Sequence, residues 1–474
     1  MKRANTDIKE KKPMTQSTLE YAQAHHADNI DRLFELLRIP SISTSAERQD
    51  DVRRAADWLV TRMQEIGLSR AETIKTDGHP VVYGEWLGAG PDAPTVLVYG
   101  HYDVQPTDPD EEWTSPPFEP TIQGDLLYAR GASDNKGQHY AHLAGTEAFF
   151  QTAGAPPVNL KFLIEGEEEI GSPNLGSFIQ ANADMLACDV SLISDTGMVA
   201  AGTPTIICGV RGMAYMEVVF QGPKRDLHSG AYGGVAHNPL QVMVETLAAL
   251  HDEQGRVAIP GFYDKVRPLS DEERAEFERI PFDEETFRQE VGAPALWSGE
   301  AGYTPLERLG ARPTLELHGI RGGFVGQGQK TVIPAKLTAK VSMRLVPDQD
   351  PLEIAQLFEA RIRALAPPSV DVTVHSLAYA DAALVDRDSP AMGAAVRAYG
   401  RGFDAEPVFL RAGGTLPVVA MLNKVLKAPV IMMGFGLPDD NAHAPNEVLS
   451  LDNFRRGVNT SIYFMEELVA TYKS

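Results

Sequence analysis

The sequence predicts an α/β protein: a mainly parallel sheet domain with helices on both faces, interrupted by a smaller α+β domain. Three observations predict it. Short apolar runs alternate with helical stretches up to about residue 210. Strictly alternating strands then take over. The first pattern returns after Pro390. The expected domains are 1–211 and 383–474 for the interrupted one and 212–382 for the insertion. A chain of 474 residues is too long for a single core, which agrees with that division.

The elements follow from periodicity. Ile30, Leu33, Phe34 and Leu37 make one helical stripe over 27–39, stopped before Pro40. Val52, Ala56, Leu59, Met63 and Ile66 make another over 50–66, closed by Gly67. Residues 81–86, 95–99, 160–164 and 190–193 read as buried strands, with helices over 135–150 and 173–182. In the insertion, 214–220 and 337–345 alternate like strands with one wet face, and 370–377 is strand-like. Helices are expected over 239–250 and 354–365, and Ser270 to Glu273 forms a capping box. Residues 430–433 make a late strand.

Composition excludes several function classes. A net charge of -22 opposes binding to nucleic acid or to an anionic membrane. No apolar run approaches the roughly 20 residues of a membrane span. Met1 to Met14 lacks the apolar centre of a signal peptide. Cys188 and Cys208 have no CxxC spacing, so reduced thiols and a cytoplasmic location are expected.

Acids and histidines gather just past the apolar strands. His101 and Asp103 follow the strand 95–99, and at i and i+2 both leave one face. An imidazole beside a carboxylate suits a metal ligand with its orienting partner, or half of an acid/base pair. Asp134 stands at a helix start, where an ordinary N-cap is the plain alternative. Glu167, Glu168 and Glu169 crowd together after the strand 160–164, an arrangement that cations would relieve. Asp195 ends another strand, and His443 lies in a polar loop after the last one.

Taken in order, GHYDVQP, RGASDNKGQ, EGEEEIGS, DLHSGAYGG, KTVIP, MRLVPD and DDNAHAPNE resemble the M20 metallopeptidases, closest to their cytosolic, carnosinase-like dipeptidase branch. The resemblance runs from about residue 20 to the C-terminus. It implies two divalent ions per chain: Asp134 would bridge them, His101 and Asp195 would complete one site, and Glu169 and His443 the other. Zinc is the favoured metal, with manganese and cobalt as alternatives. Glu168 would be the general base, a metal-bridging water the nucleophile, and Asp103 the partner that orients His101. The resemblance also implies a cis peptide between Asp134 and Asn135.

The same resemblance makes 212–382 a lid and dimerisation domain of a homodimer. His228 would reach the partner's active site and donate to the scissile carbonyl, accompanied by Thr331. Arg344, Gly414 and Thr415 would hold the substrate's C-terminal carboxylate. Ala412 departs from the pattern, which has an acid there. The implied activity is hydrolysis of dipeptides or short peptides. An N-acyl amino acid amidohydrolase with the same site is the alternative among enzymes. A non-catalytic peptide-binding scaffold is the alternative of another class. The remaining histidines, among them His79, His139, His237, His318 and His375, match no ligand position.

Overall fold

A computed structural model describes residues 14–473, so the polar segment 1–13 lies outside the described residues. Two compact units emerge. The first comprises Met1–Ile207, Val385–Phe409 and Met421–Ser474, and the second Cys208–Leu384 with Leu410–Ala420. The short segment 410–420, expected with the first unit, groups with the second. Its backbone is the reason: Gly413 and Gly414 accept hydrogen bonds from Arg211, and Gly310 lies against Arg411.

The first unit is built on a mixed sheet. Its centre is parallel: Asn159–Glu165, Thr95–His101, Val190–Ile193 and Val430–Met433 lie side by side. Antiparallel strands flank that centre, with Val81–Trp86 and Arg70–Ile74 on one side and Thr205–Val210 on the other. Parallel strands covered on both faces read as continuous apolar runs, and every residue of Asn159–Glu165 is buried. The helix Gly137–Ala153 is buried nearly throughout, whereas Gln49–Ile66 buries one stripe and ends at Gly67 in the left-handed region.

The helix expected from Asn135 begins two residues later. Residues 132–136 form a wider turn in which Asp134 has non-helical angles, and no side chain caps it. The Asp134–Asn135 peptide is cis. Gly137 permits the entry, because a Cβ there would fall 2.2 Å from the Ala132 carbonyl oxygen.

The second unit carries a four-stranded antiparallel sheet. Its order is Thr314–Arg321, Lys336–Leu345, Gly212–Gln221, Asp371–Ala380. Gly212–Gln221 alternates buried and half-buried as its sequence predicts. The helices Pro239–Ala248 and Pro351–Leu365 cover one face around Val218, Phe220, Val341 and Phe358. The capping box opens the helix Asp271–Arg279, with both reciprocal hydrogen bonds present. The edge strand Thr314–Arg321 escapes the sequence reading because it is exposed over most of its length.

Candidate metal centre

Five side chains of the first unit converge as two overlapping triads. His101, Asp134 and Asp195 form one, and Asp134, Glu169 and His443 the other, with donor atoms within 4.8 Å of one another. The two oxygens of Asp134 divide between them. Oδ1 lies 3.0 Å from His101 Nε2 and Oδ2 lies 2.9 Å from His443 Nε2. Asp195 Oδ1 is 3.5 Å from His101 Nε2, and Glu169 Oε2 is 3.3 Å from His443 Nε2. His101 is fully buried, while the loop residue His443 is open to solvent and takes a left-handed backbone.

The electrostatics is that of a site built around positive charge. Hydrogen bonds to Asp134 and Glu169 lift the His443 imidazole to about 10. Burial pulls His101 down, yet Asp195 and hydrogen bonds to Asp103, Asp134 and Asp195 hold it well above its usual value. Burial would raise Asp134, but the two histidines keep it low. Two imidazoles and three carboxylates, one of them shared, fit a pair of divalent ions of the zinc type.

Glu168 stands next to this cluster without joining either triad. Burial pushes its carboxyl well above the usual range; His101 opposes the shift, and Asp195, Asp134 and Glu169 add to it. The three adjacent acids do not act together. Glu167 turns away, accepting from the backbone N–H of His79 at 3.1 Å and from Asn174 at 2.8 Å. Only Glu168 and Glu169 face the site, on a short turn closed by Gly171 at φ 86. Gly166 allows the chain past Tyr102, whose ring would meet a Cβ at 2.4 Å.

Asp103 meets His101 through its backbone as well as its side chain. His101 Nδ1 lies 3.0 Å from the Asp103 backbone carbonyl and 3.4 Å from its carboxylate. The carboxylate also accepts the backbone N–H groups of Glu168 at 3.2 Å and Glu169 at 3.1 Å. One fully buried residue therefore orients the imidazole and fixes the turn that carries the two glutamates.

Three supporting residues went unassigned from sequence. Glu447 is fully buried and accepts from Arg130 and from the backbone N–H groups of Gly131, Ser133 and Asp134 at 2.7–3.0 Å. Asn135 donates to Asp195 Oδ1 at 2.9 Å and accepts from the His101 backbone at 3.3 Å. Gln105 donates to Glu169 Oε2 at 2.8 Å. Their signal was position alone: each lies within a quoted motif beside a ligand. His139 packs close by, its Nδ1 3.4 Å from Asn135 Oδ1, without entering a triad.

The expected substrate residues lie in the second unit as two clusters. His228 pairs with Val332 in a two-residue ladder, next to Thr331, whose carbonyl accepts from Ser229. His228 Nδ1 accepts the Gly230 N–H at 3.0 Å, so in the neutral ring Nε2 carries the proton and is the donor. Elsewhere, Arg344 Nη1 donates to the Thr415 hydroxyl at 2.6 Å, and Gly414 accepts from the Arg211 backbone at 3.0 Å.

Two candidate metal-binding triads that share a carboxylate, with a further glutamate beside them, suit the centre of a metal-dependent hydrolase. The family model for peptidase family M20/M25/M40 matches residues 97–467, and the chain belongs to that family. It is 31% identical over 456 residues to the Cys-Gly metallodipeptidase dug1 of Schizosaccharomyces pombe, covering 93% of this chain and 95% of that one. It is 33% identical over 394 residues to the Beta-Ala-His dipeptidase of Homo sapiens, covering 82% and 77%. The crystal structure of the M20 family metallo-carboxypeptidase Sso-CP2 from Sulfolobus solfataricus superposes with a TM-score of 0.82 at 33% identity, covering 93% and 99%. The chain is thus a metallopeptidase. Among the described residues, no helix is long and apolar enough to cross a membrane.

Proposed function

We propose that this chain hydrolyses dipeptides or short peptides at their C-terminal residue, as a cytoplasmic homodimer with two divalent ions per chain. The observation that carries the proposal is Asp134, with one oxygen in each triad. His101 and Asp195 would hold one ion, and Glu169 and His443 the other. When bound, two such ions acidify a shared water and stabilise negative charge on the attacked carbonyl. Zinc suits the donor set, with manganese and cobalt as alternatives.

Glu168 takes the proton from the attacking water and returns it to the leaving amine. Asp103 keeps Glu168 and Glu169 in place through their backbone. Arg344, with Gly414 and Thr415, holds the substrate's C-terminal carboxylate. His228, from the partner, donates from Nε2 to the carbonyl oxygen as charge develops, with Thr331 beside it. Domain 212–382 would serve as lid and dimer contact. The cytoplasmic placement rests on the sparse cysteines, Cys188 and Cys208, which lack CxxC spacing.

A second reading, N-acyl amino acid hydrolysis, is favoured by Ala412. No acid stands there next to Gly413–Thr415 to pair with a free amino end. The metal-reconstituted enzyme should be assayed on a dipeptide library beside N-acetyl and N-succinyl amino acids. Turnover confined to the acylated compounds would replace the dipeptidase assignment. Absence of turnover with every divalent metal would favour the peptide-binding scaffold.

A further inference from the structure

Arg211 is a buried cation for which the function proposed above gives no role. It follows the strand Thr205–Val210 and immediately precedes Gly212–Gln221. Two other segments of the second unit converge on it. Its Nε donates to the Gly413 carbonyl at 2.7 Å, and its backbone N–H donates to the Gly414 carbonyl at 3.0 Å. Its Nη1 reaches the Arg312 carbonyl at 3.5 Å. The fork also lies along Gly413, where a Cβ would meet Nη2 at 3.3 Å and the Leu309 carbonyl oxygen at 2.9 Å. The turn Gly413–Thr415 is therefore splinted from one side by a single side chain.

Arg344 is the neighbouring cation. It lies opposite Met213 in the sheet register, and both arginines line one cavity of about 440 Å³ together with Thr314, Glu316, His318 and Ser342. Among the described residues, neither guanidinium forms an ion pair with a carboxylate. Glu316, exposed on the adjoining strand, acts on Arg211 only through space. Burial lowers both guanidinium values, and the charge of Arg344 adds to the effect on Arg211, which falls to about 10. Two close cations with no carboxylate in direct contact are costly, and an anion bound beside them relieves both.

We propose that Arg211 is a positioning residue for the substrate's C-terminal carboxylate: it holds the Gly413–Thr415 turn in place and adds a second unneutralised positive charge beside Arg344. This rests on the peptidase assignment above. It adds a residue that neither touches the reacting atoms nor holds metal. It also predicts that the free carboxylate, rather than the peptide bond itself, is what this corner of the site reads.

The test compares one dipeptide with its C-terminal amide on the metal-loaded full chain, for wild type, Arg211→Gln and Arg211→Lys. The wild type should prefer the free acid. Arg211→Gln should reduce that preference in kcat/KM by about tenfold or more, chiefly through KM for the acid. Arg211→Lys keeps the charge without the fork and should recover only part of it. An unchanged acid-to-amide ratio in Arg211→Gln would overturn the inference and leave the peptidase assignment standing. Equal loss on both substrates, together with a lowered Tm, would also overturn it, since the residue would then only support the fold. If the wild type cleaves no dipeptide, the functional assignment fails first and the role of Arg211 falls with it.

Discussion

His228 and Arg344 stand toward opposite ends of the strand Lys336–Leu345. Arg344 is one residue from its far end, opposite Met213. The His228–Val332 ladder joins at the near end, where Asp226 accepts the Ala335 N–H at 2.9 Å. The eight residue-to-residue steps from Lys336 to Arg344 span roughly 26 Å of extended chain. A dipeptide reaches about 7 Å. If both side chains serve one substrate, they belong to different chains.

A separation of that size sets the first expected outcome. His228→Ala and Glu168→Ala should each be nearly inactive alone. Refolded together, they should regain up to about a quarter of the wild-type rate, because half the dimers are mixed and each has one complete site. Verified heterodimers with no more activity than their parents would confine His228 to its own chain.

The two neighbouring glutamates should separate cleanly. Glu168→Ala should lower kcat by about 10²–10⁴ with both ions retained, as measured by metal analysis alongside kinetics. Glu167→Gln, whose side chain faces His79 and Asn174, should change kcat far less. Similar losses in both variants would remove the general-base assignment from Glu168.

Asp134 should control stoichiometry. Asp134→Ala deletes a donor from each triad, so metal content and activity should fall together. Two tightly held ions per chain in that variant would reduce Asp134 to a structural role.

Glu447 should matter without supplying a donor atom to either triad. Its removal leaves a buried guanidinium and three backbone N–H groups without their acceptor. Glu447→Ala should cost about 3–5 kcal/mol in denaturant unfolding. It should also weaken metal binding by about 10–100-fold, the usual consequence of losing an outer support. Wild-type metal affinity in the variant would show that the turn at 130–134 holds itself.

Much of the centre was legible because apolar strands announce where they end. His101, Asp195 and Glu169 follow such runs closely, and the open end of a parallel strand is where polar groups collect. The contacts that choose among adjacent acids were not legible. Glu167 and Glu168 are the same residue type one position apart, and only the tertiary partners His79, Asn174 and Asp103 send them in different directions. Glu447 was hidden for the same reason: its partners lie more than 300 residues earlier. Edge strands were missed where exposure removes alternation, as in Thr314–Arg321 and the partly polar Arg70–Ile74.

The hold of Glu447 on the Asp134 turn also fixes when the centre can exist during synthesis. The two residues are 313 positions apart. At about 5–20 residues per second, an emerging chain waits roughly 15–60 s between making the turn and making its anchor. Throughout that interval His443 is missing as well. Until His443 and Glu447 are made, the growing chain lacks a donor of the second triad and the anchor of the Asp134 turn, so its hydrolytic power arrives late in synthesis.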